Sequence, residues 1–140
     1  GTLLFAADRI ADPAIDDPQS YVDHLAEYVA NQRIGIEVCP TSNLQTLPHL
    51  RSLEEHPVRQ MIEHGMSVSI CTDNRLVSHT TVCRELERLQ QALNLSPRTF
   101  RNLIIAGFKG SFFPGRYGEK RAYVRRVIDL YEDLAGSAAA

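Results

Sequence analysis

The sequence predicts an α/β fold organised around parallel strands, with this chain forming the last part of a larger structure. Two short β-branched runs, at residues 33–39 and 66–71, are separated by a polar stretch and a short helical segment. Alternation of strand and helix gives parallel strands joined by right-handed crossovers. Two such strands cannot stand alone, because parallel strands need neighbours at their edges and cover on both faces.

Residues 1–19 read as loop, with turn chemistry at Asp12-Pro13 and Asp16-Asp17-Pro18. A helix over 18–32 follows. Tyr21, Val22, Leu25, Tyr28 and Val29 recur at the helical period, while Asp23, Glu27 and Asn31 face away. The run from Arg33 to Cys39 is the first strand, stopped by Pro40. The polar, proline-punctuated segment Thr41–His56 predicts a long loop. Pro57–Glu63 is a short helix that proline opens and Gly65 ends. The second strand, Met66–Cys71, runs into Thr72-Asp73-Asn74. Helices over Thr80–Leu93, Pro97–Phe108 and Pro114–Leu134 complete the chain, the second opened by Ser96 as cap and Pro97 at the first turn. The tail 136–140 is expected to be disordered.

With 44% hydrophobic and 23% charged residues, the composition is that of a globular protein rather than a disordered or fibrous one. The formal net charge of −2 gives no reason to expect nucleic acid or an acidic membrane as partner. The charge is uneven: residues 1–97 hold 7 Lys/Arg against 13 Asp/Glu, and residues 98–140 hold 8 against 4. A basic last helix lying on an acidic body accounts for this. Three cysteines without a C-x-x-C argue against a disulfide framework or a zinc ribbon, and fit reduced thiols in the cytoplasm. No apolar run reaches membrane-spanning length. The chain opens on Gly1-Thr2-Leu3-Leu4 without an initiator Met, which suggests a processed product or a piece of a longer polypeptide.

Two constellations carry chemistry. Asp73 sits just beyond the second strand, where strand ends converge and an acid can ligate a metal or exchange a proton. The same residues, Thr72-Asp73-Asn74, also suit the cap of a following helix. At the end of the first strand, Ser42 and Asn43 can hydrogen-bond a substrate or tie the loop to its own backbone.

Glu37-Val38-Cys39-Pro40-Thr41-Ser42-Asn43 and Cys71-Thr72-Asp73-Asn74 resemble the last two strand motifs of the adenosine deaminases, in the same order and at a similar separation. Asn102 to Pro114, with Ser111-Phe112-Phe113-Pro114, is similar to the family's segment before its last helix, and Gly1-Thr2 to residues that follow a family histidine. The resemblance covers nearly all of this chain and about the last two-fifths of the family domain. It implies that residues 1–140 are the C-terminal part of one (β/α)8 TIM barrel with a single zinc at its mouth.

Asp73 then matches the family's metal-binding aspartate, which also accepts a hydrogen bond from the reacting water. Asn74 matches the residue that contacts the purine at N7. Many family members carry Asp there, which must be protonated to donate, whereas the Asn amide donates at any ordinary pH. The implied reaction is hydrolytic deamination of adenosine to inosine and ammonia. Adenine and modified adenosines are the runners-up as substrate. The implied partners are the purine nucleoside and the N-terminal part of the same barrel.

The family's metal histidines, its proton-donating Glu and its water-assisting His have no counterpart here. His24, His49, His56, His64 and His79 form neither H-x-H nor H-x-x-E; only His79 follows a strand closely enough to approach the mouth. One Asp is a poor zinc site, since three or four ligands are needed, so this chain alone is expected to be inactive. A non-catalytic half-barrel that pairs with another chain is the alternative. Arg84–Leu93 and Arg98–Ile105, joined by a short capped turn, also resemble a helix-turn-helix, but the acidic net charge and the preceding strand–helix units speak against DNA binding.

Overall fold

The computed structural model describes residues 6–138. After a 3-10 turn at Ala7–Arg9, α1 spans Pro18–Asn31. Asp17 caps it by accepting from the Ser20 backbone N–H at 3.1 Å, and Pro18 occupies the first turn, where its missing N–H costs nothing. Then come β1 (Gly35–Val38), α2 (Pro40–Thr46), α3 (Val58–Glu63), β2 (Ser67–Ile70), α4 (Arg75–Ser78), α5 (Val82–Leu93), α6 (Pro97–Gly110) and α7 (Tyr117–Ala138).

β1 and β2 are parallel, in register from Gly35↔Ser67 to Val38↔Ile70. The Cys71 N–H donates to the Val38 carbonyl at 2.8 Å and carries the ladder one residue further. Side chains alternate across a strand. Val38, Val68 and Ile70 therefore point together into the core, where Ala26, Val58, Met61, Leu89, Leu93 and Leu103 meet them from the helices. The opposite face carries exposed Gly35, Glu37 and Ser67 and half-buried Ser69. Parallel sheets are ordinarily covered on both faces, so this one is half-clothed. A cleft of about 620 Å³ opens beside it, lined by Ser69 to Cys71 and by Val82, Leu86, Ile104 and Phe108 of α5 and α6.

Several boundaries differ from the sequence expectation. The expected loop Thr41–His56 begins as helix α2. Its Thr-Ser-Asn sequence lacks an apolar period, but Pro40 suits the first turn and the Thr41 N–H finds the carboxylate of Glu85 at 2.8 Å. The first strand starts at Gly35, because Arg33 has φ +51° and cannot lie in a ladder. The second runs only over Ser67–Ile70. The short α4 was given no bounds by the sequence, but the capping chemistry of Thr72-Asp73-Asn74 is used there, by Asn74. Helix α5 starts at Val82 because Thr81 is its cap, accepting from the Arg84 N–H at 3.3 Å.

Helix α6 continues to Gly110 rather than stopping at Phe108. Helix α7 starts at Tyr117 rather than Pro114, with Glu119 accepting from the Arg116 N–H ahead of it. It runs through Gly136 and Ser137 to Ala138, so that part of the expected disordered tail is helical. Residues 139–140, and the Gly1-Thr2 motif, lie outside the described residues. The suspected helix-turn-helix is α5 and α6, but α6 packs on β2 and its Arg101 is ion-paired with Glu132 of α7. Among the described residues, no helix is long and apolar enough to cross a membrane.

Candidate active site at the strand ends

Asp73 leaves the end of β2 with φ +55°, in the left-handed region. Such a conformation costs a non-glycine residue roughly 1–2 kcal/mol, less for Asp and Asn than for most, and it persists only where the surroundings hold it. A hydrogen bond from across the mouth holds it here: the Ser42 hydroxyl donates to Asp73 Oδ2 at 2.7 Å. Ser42 is buried and Asp73 is exposed, so the carboxylate is anchored from below and open above. Among the described residues, no hydrogen bond reaches Oδ1.

Asn74 lies next to it, also exposed. Its Oδ1 accepts from the backbone N–H groups of Leu76 at 3.1 Å and Val77 at 3.2 Å, capping α4. With the carbonyl end occupied, the Nδ2 amine is the end left to donate. Of the two roles considered for the Thr72-Asp73-Asn74 segment, the capping one falls to Asn74, and the Asp73 side chain takes no part in it.

Ser42 and Asn43 also have defined partners. Ser42 serves Asp73, while Asn43 Oδ1 faces Nε2 of buried His56 at 3.0 Å. The Val58 N–H donates to His56 Nδ1 at 3.0 Å, so the ring proton sits on Nε2 and is donated to Asn43. Burial pushes the His56 pKa down to about 4. Sequence reasoning gave this histidine no role, and nothing in its spacing sets it apart. His24 and His49 are exposed; His64 bonds the Gln60 carbonyl at 2.8 Å; exposed His79 ends α4 at φ +46°.

Cys39 and Cys71 follow in-register strand ends. Burial pushes both thiols up; the Cys71 thiol raises Cys39 further, Glu37 raises both, and the Asp73 N–H works the other way on Cys39. Both are therefore thiols rather than thiolates at neutral pH.

Glu85 of α5 was also missed. It is fully buried at 0% exposure. Oε2 accepts from the Thr41 N–H at 2.8 Å. Oε1 accepts from the Thr41 hydroxyl and from the Thr80 hydroxyl. Arg88 Nη1 in turn donates to Thr41 Oγ1 at 2.5 Å. One sequence signal pointed to it: Glu85, Leu89 and Leu93 are spaced by four on one helical stripe, and both leucines are core.

Zinc requires three or four ligands. Among the described residues, no group of three or more His, Cys, Asp and Glu is placed to hold a metal. Asp73, with one oxygen fixed by Ser42 and the other open, fits one ligand of such a site and no more.

Residues 6–130 match the family model described as Adenosine deaminase. Adenosine deaminase 1 of Streptomyces coelicolor is 35% identical over 130 residues, covering 87% of this chain and 32% of the relative. An adenosine deaminase of Mycobacterium sp. is 36% identical over 121 residues, covering 86% and 33%. The chain thus spans about a third of the length of the curated relatives it matches. The crystal structure of adenine deaminase from Arthrobacter aurescens superposes with a TM-score of 0.67 at 21% identity, over 78% of this chain and 32% of that one. The fold is accordingly that of the C-terminal part of a (β/α)8 barrel, and the polar face of the sheet is the face that a closed barrel turns inward.

Proposed function

Because the chain belongs to the adenosine deaminase family, we propose that, joined to the remainder of its barrel, it takes part in zinc-dependent hydrolysis of adenosine to inosine and ammonia. The observation that carries this reading is the Asp73 carboxylate, set at a strand end with Ser42 on one oxygen and the other free. Zinc, when bound, supplies Lewis acidity that brings the pKa of water towards neutrality. Asp73 is one ligand and accepts a hydrogen bond from the attacking water, which holds a lone pair towards C6. Asn74 donates from Nδ2 to purine N7, its carbonyl end being fixed on α4. Ser42 holds the Asp73 side chain in one orientation. The remaining ligands and the acid–base residues come from the N-terminal part of the barrel, and a cytoplasmic setting suits three unpaired cysteines.

The half-covered sheet and the apolar cleft beside β2 support a requirement for that remaining part. Complementation tests the proposal. The isolated chain is expected to hold no stoichiometric zinc and to release no ammonia. Adding an upstream polypeptide that carries the missing histidines is expected to restore both with adenosine. A well-formed complex with neither zinc nor ammonia release would instead favour the non-catalytic half-barrel. Turnover of adenine or a modified adenosine in place of adenosine would change the substrate and leave Asp73 and Asn74 in their roles.

A further inference from the structure

We infer that Glu85 is a positioning residue of this site: it ties together the two strand-end segments that carry Ser42 and Asp73, and so sets the hydrogen bond between them. The inference rests on the deaminase reading for its catalytic consequence and on geometry alone for the tie itself.

Glu85 has no exposure to solvent, and a carboxylate buried without partners would be strongly destabilising. Its three donors come from two places. Thr41 gives its backbone N–H and its hydroxyl, from the first turn of α2 just beyond β1, one residue before Ser42. Thr80 gives its hydroxyl from the segment after β2, beyond Asp73 and α4. One side chain on α5 thus grips both segments, and at the mouth itself Ser42 bonds to Asp73 across them. Gln45, three residues beyond Ser42, accepts from the Ser78 hydroxyl at 3.2 Å and braces the same two segments further out. Arg88 fixes the Thr41 hydroxyl from the other side, so that it donates to Glu85 rather than rotating.

Asp73 needs this support more than most residues would. Its backbone is left-handed, and its carboxylate is exposed, with Ser42 as its hydrogen-bond donor. Small displacements of supporting residues are enough to cost catalysis heavily.

The test uses the chain joined to the remainder of its barrel. In Glu85→Gln an amide nitrogen replaces one acceptor oxygen, so at least one of the three donors loses its partner. Amide exchange in segments 40–46 and 72–80 is expected to accelerate about tenfold or more as the tie loosens. With adenosine, kcat is expected to fall about 10–100-fold while KM stays within about twofold. In a Ser42→Ala background the same substitution is expected to lower kcat by less than about twofold, because its effect passes through Ser42. Additive losses, or unchanged exchange in both segments, would overturn the inference. Thr80→Val, which leaves both Thr41 donors in place, serves if the glutamine variant does not fold; faster exchange in 72–80 and a kcat loss absent from the Ser42→Ala background support the tie, and their absence rejects it. A wild-type protein that releases no ammonia sinks the deaminase reading, and the exchange result then decides the positioning role by itself.

Discussion

At position 73 the charge and the backbone can be separated. Asp73→Asn keeps an acceptor for Ser42 and tolerates positive φ, but removes the carboxylate charge. The completed barrel is expected to lose zinc affinity by at least about tenfold, with stability changed by less than about 1 kcal/mol; zinc competition and urea unfolding measure the two. Asn74→Asp keeps the α4 cap and removes the amide donor. KM for adenosine is therefore expected to rise with pH as the new carboxyl ionises, whereas wild type shows no such rise. His56 gives a stability prediction. Its folded pKa of about 4 lies below the ordinary 6.5, so the unfolded chain binds more protons between those values and stability falls as pH drops through that window. Protonation would place a second N–H against that of Val58. His56→Gln is expected to flatten the slope by up to about 1.4 kcal/mol per pH unit, read from urea midpoints at pH 6.5 and 4.5. Asp73 and Asn74 could be singled out because they follow an apolar strand, and the structure sets Asp73 exposed at that strand's end and Asn74 at the cap of α4. Glu85 and His56 were not singled out, because partners 44 and 13 residues away define them; the helical stripe of Glu85 signals its burial but not those partners.

Among the elements, those set by local rules were read well. Helix α1 has its apolar period, its Asp17 cap and its Pro18, and α6 has Ser96 and Pro97. Ser96 accepts from the Thr99 N–H at 3.1 Å, far in sequence from the site segments. Ser96→Ala is thus expected to lower stability by about 1 kcal/mol, with kcat/KM for adenosine unchanged; chemical denaturation beside an ammonia-release assay checks both. Helices α2 and α4 escaped the sequence reading for a physical reason. Each is short and polar at its start; α2 is held by the distant Glu85, and α4 by its Asn74 cap together with the Ser78–Gln45 hydrogen bond. Isolated helices of that length do not form in water, so the chain's own propensities could not announce them.

Taken as a whole, the molecule is one side of a closed structure. A charge placed in the cleft beside β2 should act on assembly before it acts on chemistry. Ile104→Asp is expected to weaken complementation by the upstream part, while zinc and ammonia release per assembled barrel stay unchanged; titration of one part against the other, followed by gel filtration, distinguishes the two. The barrel class was readable from strand–helix alternation together with the two strand-end motifs, whereas the one-sided burial of the sheet was not, since it depends on what lies across it. The placement of α7 has a mechanical consequence. That helix is attached chiefly through α6, by Tyr123 against Phe108 and by the Arg101–Glu132 pair, with Lys120 reaching back to the Ser111 carbonyl. The architecture is therefore serial: under load from the C-terminal end, the outermost helix should peel away before the strand ends are disturbed.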